Sequence, residues 1–206
     1  GEWAKRKFGV TTFLLDDGFQ HRKVKRDLDI VCIDATQPFF DAKSLPAGRL
    51  REPIDAIRRA DAIVITRADQ AENFDEFRDR LISFADGKQV FAANAEIVRF
   101  ASLKGNDNFD VSQSSFAFCG LGNPTAFFTQ LRAGGVHLAG ETPFRDHHIY
   151  TQSDVDSVVS LAKQSRAKFL LTTAKDAVKL VDLEFKLPCF AAEIEMRIDD
   201  DNAFRE

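Results

Sequence analysis

Asp16-Asp17-Gly18-Phe19-Gln20-His21 gathers two carboxylates, a carboxamide and an imidazole into one short string. It follows Val10-Thr11-Thr12-Phe13-Leu14-Leu15, an apolar and β-branched run that reads as a buried strand. Paired carboxylates at such a strand end are costly unless something positive meets them. In nucleotide-hydrolysing folds an apolar strand ending in Asp holds Mg²⁺ against the phosphates. Asp16 and Asp17 are therefore the expected metal-side pair. The plainer alternative is a surface turn, for which Asp-Gly is a common dipeptide.

Four further strings carry groups with chemical potential. Asp146-His147-His148 places half of the chain's four histidines beside a carboxylate. A carboxylate partner fixes the tautomer of an imidazole and raises its basicity, which suits a general base. Neighbouring residues on an extended chain point to opposite sides, so one of the two rings is expected at any one site. The alternative is a loop pair bonded to backbone carbonyls.

Thr172-Thr173-Ala174-Lys175-Asp176 joins a strand to a helix. Lys175 falls in the first helical turn, where the dipole disfavours a cation, so it fits best beside an anion. An ion pair with Asp176 or Asp182 would serve equally. Gly120-Leu121-Gly122-Asn123 also precedes a helix, and such a loop can offer N–H groups to a phosphate. A tight turn is the favoured reading for so short a glycine motif. Leu45-Pro46-Ala47-Gly48-Arg49-Leu50-Arg51-Glu52-Pro53 presents Arg49 and Arg51 on a stiffened loop suited to phosphate recognition. Arg51 could instead pair with Glu52 or Asp55. Asp69, just past a strand, could read a nucleotide base or cap the next helix.

The elements that must position these groups alternate. Residues 10–15, 29–33, 62–66 and 90–92 read as strands, and 54–60 and 74–84 as helices. Residues 105–110 are polar and turn-rich. Beyond them the pattern restarts, with strands at 115–119, 136–139, 168–172 and 189–192 and helices at 124–132, 153–163 and 175–180. This is an α/β arrangement with a mostly parallel sheet. It divides into lobes 1–95 and 96–206, with residues 95–103 as the crossing. Asn123-Pro124 marks one helix start. Ser153 to Asp156 and Thr173 to Asp176 have capping-box spacing.

Composition narrows the class. A net charge of −4 argues against a nucleic-acid binder that relies on a general positive field. Cys32, Cys119 and Cys189 lie in separate apolar runs and read as reduced core residues. No apolar run is long enough to span a bilayer. The chain contains no Gly-x-x-x-x-Gly-Lys-Ser/Thr loop, no Gly-x-Ser-x-Gly elbow and no His-Glu-x-x-His helix.

Taken in order, the strings 16–21, 45–53, 120–124, 144–148 and 171–179 resemble the tetraacyldisaccharide 4′-kinases of lipid A biosynthesis. The resemblance implies a P-loop-type, mostly parallel sheet, here incomplete, with a second, smaller α/β lobe. It implies transfer of the γ-phosphate of ATP to the 4′-hydroxyl of a tetraacylated glucosamine disaccharide 1-phosphate, with Mg²⁺ required. The location implied is the cytoplasmic face of the inner membrane, reached through a region upstream of this chain. The acidic pair carries over to Asp16 and Asp17, and the catalytic-dyad histidine to His147, with Asp146 beside it. The family's phosphate loop and its upstream catalytic acid have no counterpart here. The chain is thus expected to be a carboxy-terminal part, inactive alone. Arg51, or Arg49, would steady the migrating phosphoryl group or the substrate's 1-phosphate; Asp69 and Lys175 would face the nucleotide. A metal-dependent hydrolase using Asp16, Asp17 and His147 as ligands, or a noncatalytic nucleotide-binding module, are the alternatives.

Overall fold

The computed structural model describes residues 1–37, 39–48, 50–105 and 108–205. It divides into two compact units, Gly1–Ala93 with Asp199–Glu206, and Asn94–Ile198. The final residues thus return to the first unit. Hydrogen-bonded strands follow the order β1-β2-β3-β7-β6-β4-β5.

In the first unit, β1 (Ile30–Asp34), β2 (Ala62–Thr66) and the start of β3 (Gln89–Ser102) run parallel. Ile63 and Ile65 of β2 are fully buried against Ile33, Ile57 and Leu81, the last from α2 (Phe74–Phe84). Asp199 closes the unit: its N–H donates to the Ala92 carbonyl at 2.9 Å, its carboxylate accepts from the Ala92 N–H at 3.0 Å, and it pairs with Arg78 at 3.0 Å.

The expected strand at residues 10–15 does not form. The chain opens instead on a helix, α1 (Glu2–Phe8), which ends at Gly9 in the left-handed conformation at φ 65°. Residues 10–15 then run irregularly, with Leu14 94% exposed. A strand requires a backbone partner as well as a β-prone sequence, and among the described residues the sheet ends at β1. Cys32 is likewise exposed on that edge strand rather than in the core.

In the second unit, β4 (Ser115–Cys119) lies between β5 (Leu138–Pro143) and β6 (Phe169–Thr173), and β6 pairs with β7 (Cys189–Ile198), all parallel. Strand alternation sends Phe116 and Phe118 to one face and Ala117 and Cys119 to the other. Each face is covered by one amphipathic helix. α3 (Pro124–Ala133) buries Phe127, Phe128 and Leu131 on the Cys119 face. α4 (Gln152–Gln164) buries Val155, Val158, Val159 and Ala162 on the Phe118 face, at helical spacing. α3 starts where the sequence indicates: Asn123 accepts from the Ala126 N–H at 3.2 Å, and Pro124 follows. The capping box of α4 is Thr151 with Asp154, two residues earlier than the expected Ser153. The expected crossing at 95–103 is instead the continuation of β3. The Leu103 N–H donates to Cys189, and Arg99 pairs with Glu193, so β3 runs antiparallel to β7 here.

Candidate functional site

The sequence-selected residues lie in both units. In the first, Asp16 and Asp17 lie in a turn, with Asp17 at φ 54°. Left-handed backbone at a residue other than glycine is uncommon and concentrates where structure around it holds it. Arg51 forms an ion pair with Asp17, rather than with Glu52 or Asp55. Arg51 leaves a tight loop in which the Leu45 N–H donates to the Leu50 carbonyl at 2.8 Å and a Cβ on Gly48 would lie 2.0 Å from the Lys43 carbonyl. Only glycine permits that approach. Arg49 lies outside the described residues.

Glu52 accepts from Arg59 at 2.7 Å and Arg22 at 3.1 Å. The hydrogen bond from Arg59, opposed by burial and helped by Arg22, holds its carboxyl below the usual range. Asp69 is exposed in the 3₁₀ turn Ala68–Gln70. The carboxyl ends of β1 and β2 carry a pair that sequence reading passed over. Asp34 accepts from the Thr36 hydroxyl at 2.7 Å and from Arg67 at 2.5 Å, and Arg67 is itself left-handed at φ 58°. No local string flags this pair, because its members are 33 residues apart.

In the second unit, Asp146, His147 and Lys175 come together beyond the carboxyl ends of β5 and β6. The Asp146 carboxylate lies 3.7 Å from His147 Nε2 and 3.5 Å from Lys175 Nζ, and accepts from the His147 N–H at 3.0 Å. Lys175 therefore meets Asp146 and not Asp176 or Asp182. His147 adopts φ 58° and leaves 76% of its side chain in solvent. His148 does the opposite. Its ring stacks on Phe144 at 4.7 Å, and its Nε2 lies 3.1 Å from Asp154, the capping residue of α4. The two rings take different partners, and His147 is the one left in solvent.

The Gly120 loop runs against this turn. The Phe144 N–H donates to the Cys119 carbonyl at 2.8 Å. A Cβ on Gly120 would lie 3.2 Å from the Arg145 carbonyl and 3.3 Å from His148 Cβ. Nearby, Tyr150 is buried, which together with the Asp176 charge pushes its hydroxyl pKa well up.

An exposed imidazole, a carboxylate and an ammonium together can take up a proton and hold an anion. Among the described residues, no group of three or more His, Cys, Asp or Glu is arranged to hold a metal ion.

Parallel strands whose carboxyl ends feed charged loops define an α/β protein, and in such proteins that edge of the sheet is the usual place for a ligand. The comparisons make this specific. The profile of the tetraacyldisaccharide-1-P 4′-kinase family matches residues 1–206, and the chain belongs to that family. It is 37% identical over 191 residues to a tetraacyldisaccharide 4′-kinase of Halothermothrix orenii, covering 85% of this chain and 50% of the relative. It is 36% identical to that of Koribacter versatilis, covering 98% and 58%. The crystal structure of "apo" form LpxK from Aquifex aeolicus in complex with ATP matches with a TM-score of 0.69 at 30% identity, covering 99% of this chain and 58% of that one. The chain spans about half the length of the curated relatives it matches.

Proposed function

We propose that this chain forms part of an ATP-dependent phosphotransferase acting on the 4′-hydroxyl of a tetraacylated glucosamine disaccharide 1-phosphate, the lipid A precursor. The observation that carries the reading is the Asp146–His147 turn, a solvent-facing imidazole beside a carboxylate, in a chain matched along its whole length by a kinase family. His147 accepts the proton of the sugar hydroxyl late in the transfer, because imidazole is too weak a base to ionise a sugar alcohol beforehand. Asp146 orients the ring. Lys175 and Asp69 face the nucleotide, and Arg51 steadies the phosphoryl group in flight or the substrate's 1-phosphate.

Oxygen-only donors on Asp16 and Asp17 suit Mg²⁺, which takes one or two carboxylates and completes its shell with phosphate oxygens and water. Asp16 and Asp17 would hold it, and the ion, when bound, neutralises charge on the phosphates. The ion pair of Asp17 with Arg51 would open to make room. An acylated acceptor fits a reaction at a membrane surface, and a nucleotide donor fits the cytoplasmic face of the inner membrane. No helix of the described residues is long and apolar enough to cross a membrane.

The test is His147→Ala in the protein as its gene encodes it. Turnover is expected to fall about 100-fold or more, the scale of general-base catalysis. Unchanged turnover would remove His147 from the reaction.

A further inference from the structure

His147 is held by very little of its own. Its ring stands in solvent and its backbone is left-handed. What fixes the turn must therefore lie beneath it. The group best placed is Asp176, a carboxylate with no solvent exposure at the start of α5 (Ala174–Ala177).

Each oxygen of Asp176 is committed. Oδ2 accepts from the Gly120 N–H at 2.8 Å and from the Thr173 hydroxyl at 3.0 Å. Oδ1 accepts from Lys179 Nζ at 2.9 Å. The Asp176 N–H donates to Thr173 Oγ1 at 3.0 Å, which starts the helix. Burial alone would push this carboxyl up, but the donors from Gly120, Lys179 and Thr173 outweigh it and hold the group ionised. A helix cap explains Thr173. It does not explain why a buried charge reaches across 56 residues to a glycine N–H.

We infer that Asp176 is a positioning residue that clamps Gly120, and through it the Asp146–His147 turn, to the start of α5. Two routes run from the clamp to the turn. Through Gly120, the loop lies against the Arg145 carbonyl and His148 Cβ, and a Cβ on Gly122 would lie 3.4 Å from Asp146 Oδ2. Through α5, the residue before Asp176 is Lys175, whose ammonium reaches Asp146 Oδ1 at 3.5 Å. Both faces of the Asp146 carboxylate are thereby referred to one buried anion. Lys179 compensates that anion from the next turn, leaving Lys175 free to point at Asp146. The inference rests on His147 being the proton acceptor, but the clamp itself is visible without activity.

The test uses NMR on the 206-residue chain. Asp176→Asn puts an amide NH₂ against one of the three donors. Amide exchange at Gly120 and His147 should quicken about 10-fold or more, the scale of a lost charge-assisted hydrogen bond. The imidazole cross-peaks of His147 should shift, while those of His21, in the first unit, stay in place. Amides of Val158 and Leu170, in the core of the second unit, should change far less. Asp176→Asn/Lys179→Gln restores a neutral donor–acceptor pair and should return the His147 signals toward the parent's. If Asp176→Asn does not fold, Thr173→Val, which removes one donor, should give the same pattern in smaller measure. Unchanged Gly120 and His147 signals in a folded variant would overturn the clamp, as would one uniform acceleration over the whole second unit. Phosphotransfer by the same variant in the protein as its gene encodes it separates the two claims: changed Gly120 and His147 signals with turnover intact would leave the clamp standing and refute the role of His147.

Discussion

Adding one methyl group at Gly120 is the sharpest structural perturbation available near the turn. A Cβ built there meets the Arg145 carbonyl and the Tyr150 hydroxyl at 3.2 Å and His148 Cβ at 3.3 Å. Ordinary contacts begin near 3.4 Å, so three neighbours on different sides must each yield by a few tenths of an ångström. Two of them belong to the turn carrying Asp146 and His147. Overpacking of this kind costs about 1–3 kcal/mol. Gly120 is not left-handed, so alanine also gains about 0.4–1 kcal/mol by restricting the unfolded chain. The net expectation for Gly120→Ala is a loss of about 1–2 kcal/mol. With a urea m-value of about 2 kcal/mol/M, the midpoint should fall by roughly 0.5–1 M. Tyr150, the chain's only tyrosine, reports unfolding from the adjacent core. Gly122→Ala is the control: its Cβ would meet only the Asp146 side chain, at 3.4 Å, and should cost under about 0.5 kcal/mol. A Gly120→Ala protein as stable as the parent, or no worse than Gly122→Ala, would refute the packing argument.

Acid should loosen the second unit. Asp154 is held low by the Thr151 N–H, against the pull of burial and with help from the Thr151 hydroxyl and His148; Asp176 is held low as described. Folded values below the unfolded ones mean stability that is complete above about pH 4 and drains away as pH falls further; urea midpoints that stay level from pH 5 to pH 2 would contradict this. Thiol titration should find Cys32, exposed although burial also raises its pKa, faster than Cys119 and Cys189, which stay protected until unfolding. Burial pushes Cys119 to about 12 and Cys189 higher still, so neither supplies thiolate near neutrality. Three equally fast thiols would show the core to be open.

The sequence is legible where structure is local. β2, α2 and β4 occupy the residues their periodicity indicates, because an apolar run or a helical stripe carries its own signal. Reading fails where an element depends on a distant partner. Residues 10–15 have a strand's composition but no neighbouring strand among the described residues, and Phe13, Leu14 and Leu15 are exposed. Residues 95–103 read as a crossing, yet they continue β3, where Arg99 finds Glu193 and Glu96 finds Arg197 about a hundred residues on. The site divides the same way. Motif strings single out His147 and Lys175, but not that Asp146 joins them. Asp176 reads in its string as a helix cap or a partner of Lys175, since those spacings are local while the bond to Gly120 is not.

The central claim concerns where a phosphate goes. The most direct measurement supplies γ-labelled ATP, Mg²⁺ and a tetraacyldisaccharide 1-phosphate to the protein as its gene encodes it, then maps the label. The account predicts label at the 4′-position of the disaccharide, lost when Mg²⁺ is chelated and cut about 100-fold by His147→Ala. Label appearing only as free phosphate, or on the disaccharide at an undiminished rate in His147→Ala, would contradict it.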